Sequence, residues 1–212
     1  MIITFANQKG GCGKSSIALM LGSYLSNIKK CKVVGFDTDK QRSYYGRYNK
    51  DLNLRENPLY SVEYFETIDL IKHIRSGVLN NDTYYLIDTA GYLSKEAIAL
   101  IYLSNKVIVP FNYSKVSMDS SSQFLDVLLN IENLEIRKRL LLVANDIGAN
   151  VKTDTIEEYK TVLGKYTSRD CIIDNYFNSS VAIQRIDTLN VHNDIMKKYN
   201  PVLEEIYLNI II

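Results

Sequence analysis

Residues 9–15 read Lys-Gly-Gly-Cys-Gly-Lys-Ser and stand between a short apolar run and a helical pattern. Glycines at 10, 11 and 13 let the backbone curl so that successive N–H groups face one centre, and the following helix adds its N-terminal dipole. Such a loop suits phosphate. Lys14 is placed to reach the β and γ phosphates and the Ser15 hydroxyl to ligate Mg²⁺, with Gly10, Gly11, Cys12, Gly13 and Ser16 completing the candidate nucleotide-binding stretch. The usual spacing, Gly-x-x-x-x-Gly-Lys-Ser/Thr, is not quite met, because Gln8 stands where its first glycine belongs. A second lysine, Lys9, precedes the glycine pair instead. A plain glycine turn between strand and helix would need neither lysine.

Carboxylates follow two other apolar runs. Asp37 and Asp39 close the run Val33-Val34-Gly35-Phe36, and two carboxylates one residue apart at a strand end can divide the work between a metal and an attacking water. An Asp pair there is also ordinary turn chemistry, and only the glycine loop tips the reading toward catalysis. Tyr84–Asp88, followed by Thr89-Ala90-Gly91, has the form of a Walker B strand, whose Asp88 would hold Mg²⁺ through water while Gly91 frees the next loop to follow the γ-phosphate.

These groups need a frame that brings them together. Short apolar runs at Ile2–Ala6, Lys32–Phe36, Tyr84–Asp88, Lys106–Phe111 and Arg139–Asn145, with a weaker one at Cys171–Asp174, alternate with longer amphipathic segments. Most are apolar throughout, as strands covered on both faces must be. Ile17, Ala18, Leu21, Leu25 and Ile28 recur at helical spacing, and further helices are expected at 68–76, 94–104, 118–131, 155–165 and 202–209. The stretch 42–60 is the least regular. The pattern predicts a single α/β domain over 1–212: a doubly wound, mostly parallel sheet flanked by helices, with its ligand site on the loops after the strand ends.

Composition sets bounds. The 212 residues carry 25 Lys+Arg against 24 Asp+Glu, a net of +1, so no global positive field gathers nucleic acid or membrane, and any such binding needs a local patch. Cys12, Cys31 and Cys171 form no C-x-x-C pair and suit a reducing compartment. Neither a secretory leader nor an apolar stretch of ~20 residues is seen, which predicts a cytoplasmic protein.

With Lys9-Gly10-Gly11, Asp37-Thr38-Asp39 and Asp88-Thr89-Ala90-Gly91 in this order, the chain resembles the ParA/MinD superfamily of deviant P-loop ATPases, and most of all the short ParA-type partition proteins. With its first strand expected at residue 2, the chain is expected to lack the N-terminal DNA-reading domain of longer relatives. The resemblance implies ATP and ADP as ligands with Mg²⁺, a homodimer formed on ATP binding, and nonspecific DNA and a centromere-binding adaptor of ParB or ParG type as partners. It implies a nucleoid-associated protein, no membrane, and a role in plasmid or chromosome segregation. It casts Lys9 as the signature lysine that reaches the partner subunit's phosphates, Asp39 as the residue orienting water, and Asp37 as support for the Mg²⁺ shell. Lys40 stands where the family has proline. Asp119-Ser120-Ser121-Ser122 resembles the helix at the dimer face, and Asn145 the residue that contacts adenine, although Asx residues after strands are often turn formers.

Other features have plainer readings. Cys12 is a small spacer rather than a nucleophile, and His73 and His192 are solvated or partly packed side chains. Tyr44, Tyr45 and Tyr48 could stack on bases but more simply cover a helix. Residues 202–212 raise the alternative of a MinD-like membrane-surface ATPase. Glu204 and Glu205 without Lys or Arg oppose an interfacial helix and favour core packing. Arg185, Lys152, Lys197 and Lys198 are the DNA-contact candidates, Arg185 the best placed by comparison; Arg137, Lys138, Arg139, Lys165 and Arg169 are further basic residues of the C-terminal third.

Overall fold

In a computed structural model, six strands form one all-parallel sheet in the order β3-β2-β4-β1-β5-β6. Residues 1–53, 58–130, 135–180, 188 and 193–212 are described, with the backbone alone at 135 and 193–195. The strands are β1 (Ile2–Phe5), β2 (Lys32–Asp37), β3 (Ser61–Tyr64), β4 (Thr83–Asp88), β5 (Lys106–Phe111) and β6 (Leu140–Ala144). The helices are α1 (Lys14–Ser23), α2 (Ser43–Leu52), α3 (Thr67–Arg75), α4 (Lys95–Leu103), α5 (Lys115–Asn130), α6 (Glu135–Arg139), α7 (Thr153–Leu163) and α8 (Asn193–Ile211).

The continuous apolar runs are explained by burial on both faces. Ile3, Phe5, Val33, Leu86, Ile108, Leu141 and Val143 pack with Ile17, Leu21, Tyr44, Leu203 and Ile206 of α1, α2 and α8. The alternate positions meet the opposite layer: Val107, Val109 and Leu142 pack with Met118, Phe124 and Leu125 of α5, and Phe36, Tyr85 and Ile87 with Leu70 and Leu100 of α3 and α4. Ser94 caps α4, its side chain accepting from the Ala97 N–H at 3.1 Å.

Four expectations change. Residues 43–52, within the stretch read as irregular, form α2. Only Tyr44 and Asp51 are buried along it, so its sequence carries little apolar stripe. Residues 61–64 are an edge strand of four residues in which Val62 alone is fully buried, too short for a periodic signal. Residues 171–174 make a single bridge, Leu142 to Ile172, after a 3₁₀ turn at Arg169–Cys171, rather than a strand. Helix α8 begins at 193, with Pro201 inside it; a proline reads from sequence as a helix start.

Helix α1 widens into a π turn at Tyr24–Ile28, which rotates Ile28 out of the buried stripe to 47% exposure while Ile17, Ala18, Leu21 and Leu25 stay buried. Of residues 202–212, expected to pack in the core, Val202, Leu203, Ile206 and Ile210 are buried there, whereas Leu208, Ile211 and Ile212 are exposed. Among the described residues no helix is long and apolar enough to cross a membrane.

The candidate nucleotide site

Strand order explains the site. Because β4 lies between β2 and β1, register pairs Asp88 with Asp37 on one side and with Phe5 on the other, so three distant segments end side by side. Beyond those ends a cavity of about 500 Å³ is lined by Gly10, Gly11, Gly13, Lys14, Ser15 and Ser16, by Asp39, Gln41 and Ser43, and by Ala90, Gly91 and Tyr92. The expected phosphate loop, the second carboxylate and the glycine loop after β4 thus meet around one space.

The loop is built to be rigid beneath an open mouth. Gly10 and Gly11 are exposed, whereas Cys12 and Lys14 are buried. Gly13 caps α1 in a left-handed conformation, φ 98°, and its carbonyl accepts from the Ile17 N–H at 2.9 Å. A Cβ at Gly13 would lie 2.1 Å from Asn145 Nδ2, so glycine is required there twice over. Lys14 Nζ donates to the Lys9 carbonyl at 3.4 Å. Across the mouth Gly91 packs on the loop so closely that a Cβ there would lie 3.3 Å from Gly10 N. Thr89 Oγ1 donates to the Phe5 carbonyl and Thr38 Oγ1 to the Asp88 carbonyl, fastening the three strand ends together.

Ser15 Oγ donates to Asp88 Oδ2 at 2.5 Å, and Asp88 Oδ1 is buried without a partner among the described residues. A buried, half-satisfied carboxylate is costly unless a proton or cation completes it. The donor set, a hydroxyl and a carboxylate oxygen, fits a hard divalent ion such as Mg²⁺. No group of three or more His, Cys, Asp or Glu that could hold a metal occurs among the described residues, so such an ion would take one or two protein oxygens and find the rest on phosphate and water.

Burial is the main cause lifting the Asp88 carboxyl, up to about 7; the charges of Asp37 and Asp39 add to it, while Ser15 and Lys14 oppose it. A carboxyl raised in the folded state above its unfolded value of about 4 gives its full stabilisation below that lower value and loses it as pH rises through about 7. Asp88→Asn is therefore expected to flatten the fall in cation-free melting temperature between about pH 5 and about pH 8. Thermal melts in chelator check this; an unchanged slope would contradict it.

Both carboxylate oxygens of Asp37 are engaged by backbone donors. Its Oδ1 accepts from the Asp39 N–H at 2.9 Å and its Oδ2 from the N–H groups of Tyr44 and Tyr45 at 3.0 and 2.9 Å. It therefore caps α2 and shapes the turn carrying Asp39. Toward a metal it offers a nearby negative charge, with both oxygens engaged by backbone donors. Burial raises its pKa, and these bonds oppose the rise. Asp39 faces the cavity, and its Oδ1 accepts from the Gln41 N–H at 2.9 Å, so carboxylate bonds shape the turn where Lys40 replaces proline.

Asn145 likewise turns toward the loop. It is 6% exposed, and its Nδ2 donates to the Cys12 carbonyl at 3.0 Å, bracing the loop from behind. Burial raises the Cys12 thiol, with Lys14 pulling it down, which suits a spacer and not a nucleophile. Asn7, which sequence reasoning passed over, is buried beneath the loop and accepts from the Lys9 N–H at 3.2 Å. Its place between strand and glycine loop was the one available signal.

Of the DNA-contact candidates, Lys152, Lys197 and Lys198 are exposed. Lys152 precedes α7 in the segment following β6, and Lys197 and Lys198 lie early in α8, where the neighbouring Tyr199 OH donates to the Asn178 carbonyl near the end of β6. Arg185 lies outside the described residues, as does His192. Arg139 donates to the Tyr102 and Ser104 carbonyls, and Arg169 pairs with Asp174 at 2.9 Å. His73 packs against Phe65 with ring centroids 5.4 Å apart. Tyr44 is fully buried and its ring lies 6.4 Å from that of Tyr60, so it serves the core.

A parallel sheet with a glycine loop between its central strand and the first helix defines a P-loop nucleotide-binding fold. The chain belongs to the CobQ/CobB/MinD/ParA nucleotide-binding domain family, whose model matches residues 3–209. A comparison with curated proteins found no match. Among solved structures, the chain is similar to a putative plasmid partition protein from Borrelia burgdorferi B31 bound to AMPPNP, with 21% identity, 98% of each chain covered and a TM-score of 0.70. It is similar to pNOB8 ParA bound to nonspecific DNA at 16% identity, with 99% of this chain and 96% of the other covered and a TM-score of 0.68. It is also similar to the MinD cell division protein of Aquifex aeolicus at 14% identity, with 98% and 96% covered and a TM-score of 0.69. At these identities the likeness carries the fold alone.

Proposed function

We propose that this protein is a ParA-type partition ATPase: it binds and hydrolyses ATP with Mg²⁺, dimerises on ATP, holds DNA without sequence preference and moves DNA cargo with a centromere-binding adaptor. The observation that carries the reading is the single cavity in which Lys14, Ser15, Asp39 and Gly91 converge over Asp88. Backbone N–H groups of residues 10–15 and Lys14 bind the phosphates, and Ser15 and Asp88 would hold Mg²⁺, which would neutralise charge on the phosphates. Asp39, fixed by its bond to Gln41, orients the attacking water. Gly91, against the Gly10 backbone, is placed to sense the γ-phosphate.

Lys9 is the element that calls for a second subunit. It is half-buried beside the glycine loop and is not among the residues that line its own cavity. A cation there serves a neighbour's phosphates when two mouths close on each other. Tyr92, on the cavity wall and 59% exposed, gives that contact an apolar surface. DNA binding is supported by the exposed Lys152, Lys197 and Lys198, with Arg185 added on sequence grounds, and by the DNA-bound ParA relative. A MinD-like membrane role is disfavoured because Val202, Leu203, Ile206 and Ile210 of α8 are spent on the core and Glu204 and Glu205 stand beside them without a basic residue in 202–212.

The test is retention on nonspecific duplex DNA with ATP, ADP or no nucleotide, run beside anionic liposomes. Retention by DNA only with ATP is expected, and weakening with salt as phosphate contacts require. ATP-dependent liposome binding without DNA retention would replace the reading with the membrane one.

A further inference from the structure

Asn7 lies two residues beyond the end of β1 and is 2% exposed. Its Oδ1 accepts from the Lys9 N–H at 3.2 Å, and its Nδ2 donates to the Pro110 carbonyl at 2.7 Å and the Ser121 hydroxyl at 3.1 Å. The partners fix the amide's orientation, since an N–H must face Oδ1 and a carbonyl must face Nδ2. Pro110 is near the end of β5, and Ser121, 1% exposed, lies in the second turn of α5. One buried side chain thus ties the Lys9 backbone to the helix that crosses the far side of the sheet. From the other side, Lys14 Nζ holds the Lys9 carbonyl. Helix α5 reaches solvent near its start, where Val116 is 72% exposed and Asp119 is exposed.

We infer that Asn7 is a positioning residue for Lys9, registering its backbone against α5 so that a displacement of α5 is carried to the Lys9 side chain. The inference rests on the role of Lys9 proposed above. Among the described residues Asn7 hydrogen-bonds to the Lys9 N–H, the Pro110 carbonyl and the Ser121 hydroxyl, and to no residue lining the cavity. Its effect must pass through Lys9, and the two residues must behave as one unit.

The test is a double-mutant cycle on the full chain, with calorimetric Kd for Mg²⁺–ATP and steady-state kcat in the presence of duplex DNA. Asn7→Ala is expected to hold Kd within about threefold and lower kcat at least about tenfold, yet to cost less than about twofold further in the Lys9→Ala background. Ser121→Ala, which removes only the α5 hydroxyl, is expected to lower kcat by about twofold to fivefold and to do nothing beside Lys9→Ala; it also serves if Asn7→Ala does not fold. A loss from Asn7→Ala that is as large without Lys9 as with it overturns the inference and spares the proposed function. So does a raised Kd at unchanged kcat, and unaltered kcat in Ser121→Ala removes α5 from the account. Full turnover in Lys9→Ala itself would instead remove the reading beneath it, and the inference with it.

Discussion

Lys9→Ala is expected to bind Mg²⁺–ATP within a few-fold of the native protein and to lose at least about a thousandfold in stimulated turnover, the scale of a charge supplied to the γ-phosphoryl in the transition state. The separation follows from where the lysine sits. Lys14 is buried and lines the cavity, whereas Lys9 is half-buried, is not among the residues lining it, and has its carbonyl tied to Lys14 Nζ. Removing Lys9 therefore leaves the cradle of backbone N–H groups intact. On the proposed function, what disappears is the cation that a second molecule would deliver on closing. Steady-state assays with DNA, beside calorimetry of the nucleotide, check it. Native turnover in this variant would end the mechanism, and a matching collapse of ATP affinity would make Lys9 an ordinary member of its own loop.

Gly13→Ala should sharply weaken nucleotide binding, with affinity lowered at least about thirtyfold. Two costs combine there. An L-residue held in the left-handed region costs about 1–2 kcal/mol, and φ at Gly13 is 98°. The new methyl would also meet Asn145 Nδ2 at 2.1 Å, an overlap of the kind that costs about 1–3 kcal/mol when neighbours must shift. Adding Asn145→Ala should recover part of the loss, because the overlap vanishes while the backbone strain and the missing bond to the Cys12 carbonyl remain. Calorimetry with Mg²⁺–ATP on both variants is the measurement. Native affinity in Gly13→Ala would mean that the loop is not held in this shape when nucleotide binds.

What could be read beforehand and what could not divide along a physical line. The strands β1, β2, β4, β5 and β6 were legible because burial on both faces demands unbroken apolar runs. Helix α2 was not: its N-terminal N–H groups are satisfied by Asp37, from the strand before it, and not by a capping residue of its own. A tertiary cap leaves no local signature. The same holds for the short edge strand β3, whose existence depends on its pairing with β2.

The chain's own letters determined the phosphate loop, since its chemistry is local: consecutive glycines, a lysine and a hydroxyl between one strand and one helix need only short-range geometry. They also ordered the carboxylates after the right strands. Which oxygen does what was decided by the sheet. Strand order set Asp88 between Asp37 and Ser15 and left one of its oxygens open, turned Asp37 to the backbone of α2, and gave Asn7 and Asn145 to bracing the loop. A side chain's hydrogen-bond partners come from segments remote along the chain, and sequence spacing does not record those distances.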